Sequence, residues 1–294
     1  MQRELVLFLS PELVNTLKDA VERSDSWHST IYSTGPQRQQ SLRDVEGLTS
    51  LLRNADTCFI ATHTDFTQDA CIEVEEGMAL GSACKKAGVK NIVLSSHISC
   101  EKTIGIPAKH YDAKAEIYTY MRHKLELPVT MVNIPPTFDL FFNFLCPSTT
   151  TNGSYQVVFP CVGPAPIDFI ASEDIGKCLL PVFEHPEVFR CKTVALCGDK
   201  LTGKMVVSIL NQELAPMYFR ERQVTTQDVR DRSAVGAIDM ANMFEFLGRT
   251  DLKSSLSGTK ELYPLVKSFK SWLADNKVLL VEATLSNLSD NIST

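Results

Sequence analysis

The sequence contains no CxxC pair among its nine cysteines, so zinc-ribbon spacing is absent. An odd count scattered from Cys58 to Cys197 is no disulfide framework either. No window approaches 18 apolar residues, so no membrane span is expected. Positive charge is not in excess: 29 Lys and Arg stand against 35 Asp and Glu, a formal charge of -6. That balance offers no general footprint for a phosphate backbone, and no direct nucleic-acid partner is expected. Glycine and proline number only 14 each in 294 residues, which excludes collagen-like and low-complexity compositions. The first residues show no cationic leader with a small-residue cleavage site. A cytoplasmic setting is therefore expected, with the nucleus as a second location, and the sequons at Asn152, Asn287 and Asn291 carry no weight there.

What is present is a globular composition, 44% hydrophobic and 22% charged, able to bury one large core or two ordinary ones. RELVLFL reads as a strand, and SPELVNTLKDAVERS as a helix with Leu13, Leu17, Ala20 and Val21 on one face. STIYST, a helical stretch at Ser41–Arg53, the buried run TCFIATH, a helix near Glu73–Lys86, the strand NIVLSS, a helix near Lys109–Leu125 and the strand VTMVNIP continue the alternation. Strands alternating with helices and reading as apolar runs predict an α/β fold: a Rossmann-like, doubly wound parallel sheet. After Phe138 the rhythm breaks, with YQVVF as one short strand, then a helix from Ser172, the strand KTVALCGD and the helix MVVSILNQEL. The expected division is a Rossmann-like domain at 1–140, with a returning strand near 192–198, and a smaller α/β lobe at 141–294. Amphipathic pieces at Ala237–Phe246 and Leu262–Leu273 and a frayed tail at Ser286–Thr294 complete the reading.

An open parallel sheet binds ligands at the carboxyl ends of its strands, so the first turn is the place to look for chemistry. A dinucleotide site needs a glycine-rich turn there, because glycine lets the backbone approach the diphosphate while helical N–H groups point at it. This turn is Leu9-Ser10-Pro11-Glu12-Leu13, without glycine. Ser10 suits the N-cap, Pro11 the first helical position and Glu12 the first turn, so a capped helix start is expected in place of a phosphate seat. The second strand ends Tyr32-Ser33-Thr34 where ribose recognition requires an acid. Arg38 follows, read as a solvated loop residue with contact to a 2′-phosphate as the alternative. Gly198–Lys204 has the Walker A spacing but is followed by Met205 in place of Ser or Thr; Thr202 is read as a helix cap and its lysines as solvated.

The runs ADTCFIATH, AGVKNIVLSS, AKHYDAKAEIYTYM, VTMVNIPPTF, PIDFIASEDIG and AIDMANMFEF fall in the order and spacing of a known family. On them the chain resembles the NmrA-like proteins, atypical relatives of the short-chain dehydrogenases/reductases, well over residues 55–250 and poorly before. The resemblance implies NADP or NAD as cofactor, with Ser10, Thr62, His63, Ser95, Lys114 and Pro135 as the residues lining its site. It also implies that Lys114 matches the lysine that enzymatic relatives place beside the nicotinamide ribose. His110 stands four residues earlier, where the superfamily keeps its catalytic tyrosine. Tyr111 is rotated away by about 100° on a helix. Lys114 and His110 are thus the catalytic candidates, and the usual Tyr-xxx-Lys pair is missing. The stretch from Thr34 to Ala55 looks too short for the usual helix plus third strand.

The thiols read chiefly as small core residues, with redox sensing the family-derived alternative. PTFDLFFNFL, apolar on nearly every side, would line a cleft, dock a partner or join the lobes. Two functional readings follow. One is a non-catalytic regulatory or protein-interaction protein on a Rossmann scaffold with weakened or lost NAD(P) binding, a protein partner and possible homodimerisation. The other is an atypical NAD(P)-dependent reductase using Lys114. No metal site is expected.

Overall fold

The structure, a computed structural model, describes residues 3–150, 153–160, 165–222, 224–231 and 234–287. The sequons at Asn152 and Asn291, and the tail beyond residue 287, lie outside the described residues.

The chain opens as β1 (Arg3–Leu9), α1 (Pro11–Glu22), β2 (Trp27–Ser33), α2 (Val45–Leu51), β3 (Thr57–Ile60) and α3 (Ala70–Ala87). It continues through β4 (Asn91–Ser95), α4 (Cys100–Ile104), α5 (Lys109–Thr119, ending in a π turn at Tyr120–Lys124) and β5 (Val129–Asn133). A 3-10 turn at Phe138–Phe142 leads to β6 (Ser148–Thr149), β7 (Tyr155–Val158), β8 (Ile167–Phe169), α6 (Ser172–Glu184), α7 (Pro186–Phe189) and β9 (Thr193–Ala195). Last come β10 (Asp199–Leu201), α8 (Gly203–Glu213), β11 (Phe219–Arg222), α9 (Thr226–Arg230), α10 (Ala237–Arg249), α11 (Leu256–Leu262) and α12 (Phe269–Ser286).

Six parallel strands form the main sheet in the order β2-β1-β3-β4-β5-β9. The order reverses between β1 and β3, which makes the carboxyl ends of those strands the switch point where ligands of such sheets sit. Alternation along β1 sends Leu5, Leu7 and Leu9 to a face covered by α1 and α6, and Val6 and Phe8 to the face covered by α2, α3 and α5. α6, assigned by sequence to the smaller lobe, thus packs on the main sheet through Ile175, Leu179 and Val182. Among the described residues no strand pairs outside β2; the segment between β2 and β3 holds only a loop and the seven-residue α2.

α3 is fixed at both ends by its sequence. The Asp69 carboxylate accepts the Cys71 N–H at the start, and Gly88 adopts φ 72° at the end, a left-handed conformation that glycine reaches without steric cost. Gly77 lets α3 approach α5 closely: a Cβ there would lie 2.3 Å from Ile117 Cδ1. That approach brings the side chains of Glu73 and Lys114 together.

The smaller core gathers Phe138, Phe141, Phe169, Phe244, Phe246, Phe269 and Trp272. PTFDLFFNFL is therefore chiefly core, with Phe138, Phe141 and Leu145 fully buried. The amphipathic piece expected at Leu262–Leu273 is two helices instead. Pro264 cannot donate into a helix and disfavours helical geometry at the residue before it, Tyr263 turns to φ -142°, and Ser268 caps α12 by accepting the Ser271 N–H. The Walker-like segment is strand β10 followed by the Thr202-capped start of α8, where Thr202 accepts the Met205 N–H. Lys200 is not solvated as expected: its ammonium donates to Asp168 Oδ1 at 2.5 Å and to Ser254 Oγ at 3.1 Å.

Candidate functional site

The first turn carries Ser10 at the N-cap and Pro11 at the first helical position. Ser10 does not cap through its hydroxyl, as the sequence suggested; its carbonyl accepts the Leu13 N–H at 2.9 Å. Pro11 has no N–H to offer, and the Leu13 N–H is already bonded to Ser10. Two of the donors that would face an anion at this helix start are thereby missing or used inside the turn. Beside them stands the Glu12 carboxylate, 3.7 Å from His63 Nδ1 at the end of β3. His63 holds the Glu12 pKa down to about 2 against desolvation, and Glu12 in turn raises that of His63.

The gap between this turn and the end of β2 is closed. A Cβ at Gly35 would lie 2.5 Å from Pro11 Cγ, so the proline ring rests on the glycine backbone in the space between the two loops. Arg38 is paired within the chain rather than simply solvated. Its guanidinium donates to Glu76 Oε1 at 2.5 Å and to the carbonyls of Thr34 and Gly35 at 3.3 Å.

Beyond Arg38 a cleft of about 500 Å³ is lined by Thr34, Arg38, Gln40, His63, Thr64 and Lys109 together with Asp65, Asp69, Glu73 and Glu76. Four carboxylates face it against one paired guanidinium and one ammonium. Sequence reasoning missed these acids, although Asp69, Glu73 and Glu76 recur at the i, i+4, i+7 spacing that puts them on one helix face.

Deeper in, the Lys114 ammonium lies under the end of β3 and donates to Glu73 Oε1 at 2.6 Å and Thr64 Oγ1 at 2.9 Å. Glu73 also accepts from Thr62 Oγ1 at 2.5 Å and Thr64 Oγ1 at 2.6 Å. Lys114 is thus no open helix-surface lysine but half of a buried ion pair, its side chain 14% exposed and that of Glu73 4%. Of the residues expected to line a cofactor site, Thr62, His63 and Lys114 gather around this network, while Ser10 stands with Glu12 on the other side of His63. Ser95 and Pro135 are buried at the ends of β4 and β5.

The ring of His97 stacks on Tyr111 at 3.8 Å, and His110 sits between Phe66 and Tyr111. Burial, then the Lys114 charge, depresses both histidines to about 3. Neither ring nitrogen of His110 has a hydrogen-bond partner among the described residues. A proton-transfer group works best with a pKa near the operating pH, and burial holds His110 well below it. Burial also pushes the Tyr111 phenol far above its ordinary value. The thiols follow suit: burial raises Cys58, Cys100, Cys178 and Cys197, and the neighbouring Asp69 raises exposed Cys71.

The residues at the first turn do not fit a dinucleotide diphosphate. Pro11 supplies no donor and the Leu13 N–H is used, a carboxylate stands beside them and Pro11 packs against Gly35 toward β2.

The NmrA-like family model matches residues 38–273. Among solved structures, the chain is similar to NmrA, a negative transcriptional regulator in complex with NAD, at 18% identity and a TM-score of 0.75, covering 96% of this chain and 97% of that one. It is also similar to triphenylmethane reductase from Citrobacter sp. complexed with NADP(H), at 13% identity and TM-score 0.70, covering 93% and 99%. A third likeness is to an NADPH-dependent quinone oxidoreductase from Escherichia coli complexed with NADPH, at 13% identity and TM-score 0.72, covering 92% and 99%.

Proposed function

The chain belongs to the NmrA-like family, and on that premise we propose that it is a non-catalytic regulatory protein whose NAD(P) binding is weakened or lost and which acts through protein contacts. One observation carries the reading: the family's diphosphate seat is occupied by the chain itself, with Pro11 against Gly35 and Glu12 paired to His63. A diphosphate entering there would meet a carboxylate, a proline without an N–H and a Leu13 N–H already bonded to Ser10, which opposes the attraction such a helix start normally exerts. The catalytic half supports the same reading. Lys114 is engaged by Glu73, and the position that would hold a tyrosine holds a neutral, enclosed histidine.

The second reading is an atypical NAD(P)-dependent reductase. Lys114 favours it, because its ammonium is held beside Thr64 and Glu73 under the carboxyl end of β3. The similar structures include both kinds of protein, a transcriptional regulator and two NADP(H)-linked enzymes. The two readings separate on turnover. Absorbance of NADPH at saturating quinone or triphenylmethane acceptor should decay no faster with the purified protein than without it; decay proportional to protein, abolished in Lys114→Ala, would establish the reductase instead.

A further inference from the structure

α12 buries Phe269, Trp272, Leu273, Leu280 and Thr284 against the smaller core. Its outer side carries an apolar stripe between charged edges. Val278 is 69% exposed and Leu285 52%; with exposed Ala274 and with Val281, which is half-buried against the chain's own core, they recur at i, i+4, i+7 and i+11 along the helix. In heptad terms Ser271, Val278 and Leu285 take the a positions, and Ala274 and Val281 the d positions. The flanks are of opposite sign. Lys270 and Lys277 occupy successive g positions, and Asp275 and Glu282 successive e positions.

We propose that α12 is a homodimerisation helix. Two copies pack their α12 stripes parallel to each other about a two-fold axis running along the helices, with Lys277 of each copy paired to Glu282 of the other. The charges select both occupant and direction. A two-fold axis along the helices sets the lysine edge of one copy against the acidic edge of its partner, and the five-residue offset from Lys277 to Glu282 is that of the g-to-e pairs that fix orientation in parallel coils. Antiparallel packing keeps like edge against like edge and is disfavoured by repulsion. Lys270 and Asp275 extend the pattern, but within the chain they already hold Glu213 and Lys267; Lys277 and Glu282 are the charges turned to the partner. The short seam is adequate because the helix is already ordered by its own core and loses little freedom on association. A self-complementary patch generates a closed, isologous pair.

Sedimentation velocity on the full chain at low salt tests this. The chain should run as a dimer. Val278→Glu should make it monomeric with an unchanged circular dichroism spectrum, since Val278 takes no part in the chain's own core, and with a melting point that no longer rises with protein concentration. Lys277→Glu and Glu282→Lys should each weaken dimerisation roughly tenfold, because both symmetry-related pairs become repulsive, and the double exchange should restore it. A wild-type monomer at the highest soluble concentration overturns the proposal. So does a dimer indifferent to Val278→Glu, or single exchanges that the double exchange fails to rescue.

Discussion

The Glu12 carboxylate and the His63 imidazole lie 3.7 Å apart across the mouth of the switch point, joining the first helix to the end of the third strand where other members of the fold receive phosphate. At that separation the contact is an ion pair rather than a hydrogen bond, so its strength depends on both groups being charged. Glu12 is held down to about 2 and His63 is raised above 6.5. The carboxylate's contribution is present above its ordinary value of 4.5 and is lost as pH falls toward 2. The histidine's contribution is present below 6.5 and is lost as pH rises through its raised value.

The pair therefore stabilises the fold most between about pH 4.5 and 6.5. His63→Gln should lower the melting point more at pH 6 than at pH 8.5, by a small margin because Glu12 is largely exposed. Equal losses at the two pH values would mean that the pair is not charge-coupled.

Lys114 and Glu73 form the buried counterpart. Lys114→Met leaves a carboxylate 4% exposed with only two hydroxyl donors, and should cost about 3 kcal/mol of unfolding free energy. Adding Glu73→Gln should recover most of it, as urea unfolding of the three variants would register. A Lys114→Met protein as stable as the parent would free the lysine for a role other than this pairing.

Gly35 is held to glycine by Pro11. Gly35→Ala places a methyl group 2.5 Å from the proline ring and should destabilise by about 1–3 kcal/mol, with Pro11→Ala in the same chain relieving it. Chemical unfolding of the single and double variants gives the coupling. Additive losses would show that the two loops are not in contact.

The strand and helix rhythm of the first 133 residues was legible because both faces of the sheet are covered, so its strands read as continuous apolar runs. The missing glycines of the first turn were legible for the same local reason. Pairings across long sequence separations were not. Arg38 looked solvated because its acid, Glu76, lies 38 residues on, and Lys114 looked free because Glu73 lies 41 residues back. α3 hid its buried acids in a pattern that reads equally as a solvated face. The break at Pro264 was in the sequence, and the apolar periodicity spanning it concealed the stop.

Opening the seat should change what binds. Pro11→Gly with Glu12→Gly removes the ring and the carboxylate together, and Glu76→Gln releases Arg38 toward a 2′-phosphate. The triple variant should acquire a thermal shift with NADPH larger than with NADH. A shift of equal size with the two cofactors would place Arg38 outside the site.

Isothermal titration of the unaltered protein with NADPH and NADH tests the closed seat most directly. The account predicts no saturable heat for either cofactor up to millimolar concentration; a Kd in the micromolar range for either would contradict it.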